Sequence, residues 1–231
     1  MNALVLASGG VDSSTALALA VKKFGNKHVF ALSVSYGQKH DKEIQAAKNI
    51  AKFYEVEQIF LDLAKIFEYS NCSLLQHNSE EIPQSSYSEQ IKQTNGLKPV
   101  TTYVPFRNGL FLSSAASIAL SKECEIIYYG AHADDSAGFA YPDCSPEFNE
   151  AMNKAIYEGS GHQLHIEAPF INMPKKDVVK TGLELGVPYE LTWSCYNGSD
   201  IPCRKCATCI DREAAFAANN VIDPVLQRSR I

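Results

Sequence analysis

Ala3-Leu4-Val5-Leu6-Ala7-Ser8-Gly9-Gly10-Val11-Asp12-Ser13-Ser14 is the stretch on which the fold is decided. Residues 3–6 are a short apolar run of strand type, two glycines break it, and residues 12–24 carry a helical pattern. A strand that enters a helix through such a turn makes a cradle for anions. Glycines let the backbone approach a phosphate and adopt positive φ. The serines add hydroxyl donors, and the helix start presents unpaired N–H groups at the positive end of its dipole. An ordinary turn with Asp12 as N-cap is the plainer reading, but the complete string is more than a turn requires. The chain has no Gly-x-x-x-x-Gly-Lys-Ser/Thr and no Gly-x-Gly-x-x-Gly, which sets aside Walker-type NTPases and dinucleotide folds.

Working outward, strands are expected at 29–34, 56–61, 125–129 and 164–168. Helices are expected at 41–54, 110–120, 146–157, 175–185 and 211–218. This alternation predicts an α/β fold, a doubly wound, mostly parallel sheet. Residues 71–98 break the rhythm. They are polar without a sustained apolar face and read as an insert that is a lid, an excursion or a loop. The organisation expected is a catalytic domain over 1–190 and a cysteine-bearing segment over 191–231 packed on that same domain.

With 231 residues, 45% hydrophobic, the chain can bury a full core. Its 21 basic residues against 26 acidic ones give a formal charge of −5, which argues against affinity for phosphate backbones and hence against a nucleic-acid partner. Neither a targeting segment nor a membrane-spanning run is visible, so a cytoplasmic protein is expected. The cysteines point the same way. Cys195-x7-Cys203-x2-Cys206-x2-Cys209 has the spacing to wrap a tetrahedral ion with four thiolates. Soft sulfur ligands favour Zn²⁺, and four protein ligands leave no open position, so one structural zinc is expected. A redox pair and an iron–sulfur cluster are the alternatives.

Further polar constellations follow strands, where open α/β sheets bind ligands. Tyr36-Gly37-Gln38-Lys39-His40, with Glu43, is a loop or a substrate contact. Arg107 precedes an apolar helix and is suited to pin a carboxylate or phosphate. Asp134 and Asp135 are adjacent carboxylates of the kind that suits Mg²⁺. Tyr141-Pro142-Asp143-Cys144 offers Asp143 as an N-cap or as a ligand for a guanine-like edge. Lys175 and Lys176 open a helix, and one of them is suited to neutralise phosphate charge.

The 8–14 string resembles the Ser-Gly-Gly-x-Asp-Ser signature of the PP-loop ATP pyrophosphatases. Together with Tyr36–His40, Val104-Pro-Phe-Arg-Asn108, Tyr141–Cys144, Cys195-Tyr-Asn-Gly198 and the spaced cysteines, it resembles the 7-cyano-7-deazaguanine synthase family of queuosine precursor biosynthesis. Two departures stand out: Ser145 where relatives often carry Arg, and Phe106 where many have Gly. The resemblance implies a carbon–nitrogen ligase that joins 7-carboxy-7-deazaguanine and ammonia at the expense of ATP, through adenylated acid and amide intermediates, as a homodimer. It implies ATP contact by Leu6, Ala7, Ser8, Gly9, Gly10, Val11, Asp12, Ser13 and Ser14. Catalytic work would fall to Asp12, Lys175 and Arg107. Substrate contact would come from Tyr36, Gln38, Arg107, Asp134, Asp135, Tyr141 and Asp143, with Mg²⁺ on Asp12 and the Asp134/Asp135 pair. Free ammonia is favoured because the first cysteine is Cys72, far from the N-terminal nucleophile of glutamine-hydrolysing relatives. Two other functions stay in view, a tRNA-modifying PP-loop enzyme and a non-catalytic zinc-clipped nucleotide- or RNA-binding module.

Overall fold

The structure, a computed structural model, describes residues 1–95 and 98–227. Its sheet is built around β1 (Asn2–Leu6), whose central residues Ala3, Leu4 and Val5 are wholly buried. Such a strand has to be covered on both faces, and its alternating side chains divide the core in two. Ala3 and Val5 pack with Ala31 and Ile126 against α1 (Val11–Phe24), while Leu4, Leu32 and Ile127 pack against α5 (Arg107–Ser121).

On one side of β1 lie β2 (Val29–Ser35) and β3 (Glu57–Asp62), joined through α2 (Lys42–Phe53). On the other side lie β4 (Cys124–Tyr128) and β5 (His165–Glu167). The order among the described residues is β3-β2-β1-β4-β5 with every pairing parallel. The chain winds outward from β1 through β3, then returns to the far side of β1 at β4. Ligands in such sheets bind beyond the carboxyl ends of the strands at the point of reversal. Here that point is flanked by the 7–10 turn after β1 and by Tyr129 to His132 after β4.

The expected strands and helices are present, with ends moved by one to four residues. The 71–98 segment departs from expectation. After the short α3 (Ala64–Phe67), Cys72, Leu74 and Leu75 are buried, and the segment holds a helix, α4 (Tyr87–Thr94). Ser86 starts α4 with a reciprocal cap: its Oγ accepts from the Glu89 N–H, and the Glu89 carboxylate accepts from the Ser86 N–H at 2.8 Å. Residues 71–95 of this segment form a wall of the domain, with Tyr87 of α4 lining a cavity. The remaining helices are the short α6 (Ala133–Ser136), α7 (Pro146–Gly159), α8 (Lys175–Glu184), α9 (Ala207–Ala217) and α10 (Pro224–Gln227). α9 starts four residues earlier than expected because Cys206 itself is its N-cap.

Among the described residues no helix is long and apolar enough to cross a membrane.

Candidate active site

The turn after β1 is fixed by its neighbours. The Ala7 N–H donates to the Leu32 carbonyl at 2.8 Å, and Ser33 Oγ donates to the Ala7 carbonyl at 2.7 Å. Gly9 has φ +82°, and a Cβ there would lie 2.4 Å from Ala47 N and 2.7 Å from the Glu43 carbonyl. Only glycine allows that backbone and that contact with α2. Gly10 has an ordinary φ and is the N-cap of α1, with no side-chain cap. Asp12 is therefore not a cap: it lies in the first helical turn and faces a cavity of about 230 Å³ at the strand reversal. Ser8 and Ser13 share a hydrogen bond of 3.0 Å, and Ser14 Oγ is buried without a hydrogen-bond partner among the described residues. Leu6, Ala7, Ser8, Gly10, Asp12 and Ser13 line the cavity; Gly9, Val11 and Ser14 stand behind it.

Across the turn, α8 delivers a cation. Lys175 Nζ donates to Asp12 Oδ2 at 2.7 Å and lies 3.3 Å from His132 Nε2. Burial would lower the lysine pKa, but Asp12 and then Asp135 outweigh it and hold the ammonium charged. Burial likewise pushes Asp12 up, and Lys175 with His132 more than reverses it, so Asp12 is held ionised. His132 is 2% exposed, and its Nε2 lies 3.3 Å from Asp135 Oδ1. Asp134 turns away from the cavity, and its Oδ2 accepts the Lys175 backbone N–H at 2.7 Å, at the start of α8. Of the two candidate lysines, Lys175 is the one that reaches the cavity.

At the other end the wall is aromatic. Arg107 lies over the rings of Tyr36 and Phe111, at 5.3 and 5.9 Å from their centroids, and forms no ion pair among the described residues. It stays charged: burial opposes the guanidinium, and Tyr36 and Asp143 prevail. Glu43, in the first turn of α2, shares this end. Burial drives its carboxyl up to about 7, against the pull of Arg107. Tyr87 of α4, Tyr141 and Tyr196 join their hydroxyls at 2.7 to 3.4 Å, and Thr102 Oγ1 lies 2.7 Å from the Tyr141 hydroxyl. Gln38 also faces the cavity, its Oε1 accepting from the Tyr36 N–H at 2.9 Å.

Asp143 is off the cavity wall and 3% exposed. Its Oδ2 accepts the Asn108 N–H at 2.8 Å, so it satisfies the N-terminus of α5 and faces the positive end of that helix. Ser145, not Asp143, caps α7. Phe106, the N-cap of α5, sits at φ +56°, a left-handed conformation that glycine adopts without strain. Its N–H donates to the Tyr103 hydroxyl at 2.9 Å, and its ring meets Phe148 edge to face.

The four thiols Cys195, Cys203, Cys206 and Cys209 lie within 4.8 Å of one another. A tetrahedral thiolate site with bonds of about 2.3 Å has sulfur–sulfur edges of about 3.8 Å, so the set fits such an ion. Backbone N–H groups support it, Cys203 N–H to Cys195 Sγ at 3.3 Å and Cys206 N–H to Cys203 Sγ at 3.4 Å. Hydrogen bonds from Cys206 and Cys209 pull the Cys195 thiol below the usual thiol range. The cluster is tied to the phosphate turn by one residue, Trp193: its backbone N–H donates to the Gly9 carbonyl at 2.9 Å, and its Nε1 donates to the Cys195 carbonyl at 2.9 Å. Arg212 of α9 holds this strap through Thr192 Oγ1 at 2.8 Å, and its buried partner is Asp223 at 2.7 Å.

The structure thus brings Asp12, Lys175, Arg107, Tyr36, Gln38, Asp135 and Tyr141 around one cavity and leaves Asp134 and Asp143 outside it. Sequence reasoning passed over Tyr87, Trp193, Tyr196 and Asp211 as wall residues, took His132 for a structural residue, and left Glu43, grouped with the Tyr36–His40 loop, between a loop and a substrate contact. One local signal was available, the Ser86-Tyr-Ser-Glu89 capping pattern that announces α4 and thereby Tyr87.

Residues 2–220 match the family model for queuosine biosynthesis protein QueC. The 7-cyano-7-deazaguanine synthase of Archaeoglobus fulgidus is 42% identical over 227 residues, covering 98% of this chain and 90% of that one. The 7-cyano-7-deazaguanine synthase of Aquifex aeolicus is 43% identical over 219 residues, covering 92% and 95%. Among solved structures, the NMN synthetase of Francisella tularensis superposes with a TM-score of 0.52 at 17% identity, covering 95% of this chain and 77% of that one, a likeness of fold.

Proposed function

The chain belongs to the QueC family of queuosine biosynthesis proteins, and from that premise we propose that it is an ATP-dependent carbon–nitrogen ligase making 7-cyano-7-deazaguanine from 7-carboxy-7-deazaguanine and ammonia. One observation carries this reading. A single cavity joins an anion cradle bearing the Asp12–Lys175 pair to a second end bearing Arg107, a cation without an ion pair among the described residues.

A carboxylate is a poor electrophile. In the proposed reaction one of its oxygens attacks the α-phosphorus of ATP and pyrophosphate departs, leaving an acyl adenylate. Ammonia displaces AMP to give the amide. The amide oxygen attacks a second ATP, and loss of AMP and a proton leaves the nitrile. The chain's residues align and neutralise charge in these steps. Lys175 and the N–H groups at the start of α1 receive the departing pyrophosphate, and Arg107 orients the acid. The hydroxyls of Ser8 and Ser13 add donors. No side chain has to become a covalent nucleophile.

Asp12 Oδ1, buried without a hydrogen-bond partner among the described residues, is the atom that suits Mg²⁺, with Asp135 nearby. Bound there, the ion would neutralise phosphate charge. Asp134, engaged with the start of α8, is set aside from that role. Zinc in the thiol cluster would have no open position, and its work would be to hold the 191–231 segment on the 1–190 domain. The test is incubation with the acid, ATP, Mg²⁺ and ¹⁵N-ammonium, read by mass spectrometry. Nitrile carrying one ¹⁵N, with AMP formed alongside, is the expected outcome. ATP bound without turnover by zinc-loaded protein would overturn the reading in favour of a binding module.

A further inference from the structure

The cavity wall carries four carboxyl side chains, and three of them lie at the phosphate end. Asp12 pairs with Lys175 and Asp135 with His132; Asp211 makes no side-chain hydrogen bond or ion pair among the described residues, and burial raises its carboxyl above the usual range against the pull of Lys175. The fourth, Glu43, is at the Arg107 end and makes no side-chain hydrogen bond or ion pair among the described residues. Two opposite charges sharing one end of a cavity, and not closing on each other, are costly unless a ligand completes both. Asp143, the carboxylate expected from sequence to read a guanine-like edge, is engaged with the start of α5 and faces away.

Glu43 is also rigidly placed. Its own carbonyl is one of the atoms against which Gly9 packs, so the first turn of α2 and the phosphate turn hold a fixed separation. The backbone that carries the Glu43 side chain is therefore held against the phosphate turn.

We infer that Glu43 is the specificity-determining residue for the acceptor, its carboxylate taking two parallel N–H donors from a 2-aminopyrimidinone edge while Arg107 takes the acid group. This rests on the proposed function, since it assigns the two ends of that same substrate. It excludes acids whose ring presents an acceptor in place of a donor, because Glu43 would then face a lone pair.

Calorimetry tests this without turnover. 7-Carboxy-7-deazaguanine and the same acid lacking the 2-amino group are titrated into the wild-type protein, Glu43→Gln and Glu43→Asp, with ATP titrated separately as the control for an intact fold. The wild type is expected to prefer the amino-bearing acid by about 10- to 100-fold, as suits a charge-assisted hydrogen bond. Glu43→Gln is expected to reduce that preference below about threefold with ATP binding unchanged, and Glu43→Asp to weaken the acid while keeping part of the preference. An undiminished preference in Glu43→Gln overturns the assignment while leaving the ligase reading intact. Wild-type protein that shows the preference but forms no AMP leaves Glu43 standing and overturns the ligase reading. Wild-type protein that binds neither acid overturns both.

Discussion

The two ends of the cavity are built differently. At the phosphate end Asp12, Lys175 and Asp135 already have charged or histidine partners, while Asp12 Oδ1 and Ser14 Oγ are buried without a hydrogen-bond partner among the described residues. Asp12 and Lys175 meet at 2.7 Å, His132 lies between Asp12 and Asp135, and Trp193 pins the Gly9 carbonyl from outside. At the acceptor end the frame is aromatic, and the two charged groups it carries, Arg107 and Glu43, are without ion pairs among the described residues. The difference teaches that the chain is organised to hold one ligand part by a preformed electrostatic frame. The other part has to bring its own complementary charges. Preorganisation favours catalysis on phosphate, and unfilled charges favour discrimination among acceptors.

The comparison can be broken most forcefully at Lys175. Lys175→Met leaves Asp12 ionised without its partner, and kcat/KM for ATP is expected to fall about 10³-fold, with binding of the acid changed less than threefold. Steady-state kinetics alongside calorimetry would show it, and equal losses for both ligands would erase the distinction between the ends. Next in size is Arg107→Lys. A point charge in place of a planar fork should raise KM for the acid about 30-fold and leave KM for ATP within about twofold. An ATP effect as large as the acid effect would place Arg107 at the phosphate end.

A smaller effect sharpens the account of Glu43. Its folded pKa is raised to about 7 from 4.5, mainly by burial. The protonated form is thus favoured by folding. Its contribution is intact below pH 4.5 and is lost as pH rises toward 7. Glu43→Gln should therefore melt within about 1 °C of wild type at pH 4.5 and several degrees higher at pH 8. A pH-independent difference would show that Glu43 is not desolvated. The smallest effect concerns the wall. Ser86→Ala removes the cap of α4 and should cost about 1 kcal/mol, about 2–4 °C in melting temperature. Acid binding should weaken in step, since α4 carries Tyr87; unaltered acid binding would detach the insert from the acceptor end.

Much of the phosphate end was legible in the sequence because it is local. A strand, two glycines and a helix start fall within twelve consecutive residues, and geometry follows from their order. The thiol quartet was legible for the same reason, its spacing being short. Lys175 could be named but not distinguished from Lys176, because its partner is 163 positions away and only the packing of α8 on α1 brings them together. The acceptor end draws on the Tyr36–Gln38 loop, α2, α4, α5, Tyr141 and the loop at Tyr196, six separate parts of the chain. Asp143 shows the limit most clearly. A carboxylate in a Tyr-Pro-Asp-Cys turn suits either a ligand or a helix start, and only the 2.8 Å contact with the Asn108 N–H decides what holds it. Glu43 was named only together with the Tyr36–His40 loop and left between a loop and a substrate contact, because an acidic first helical turn needs no ligand to explain it.

The most direct test follows the oxygen atoms. With the acid labelled by ¹⁸O in both carboxylate positions, adenylation of acid and amide in turn predicts that both labels end in AMP, one in each of two molecules per nitrile formed. Label recovered in inorganic phosphate or pyrophosphate, or retained in water, would contradict attack on the α-phosphorus, and with it the account of how this cavity works.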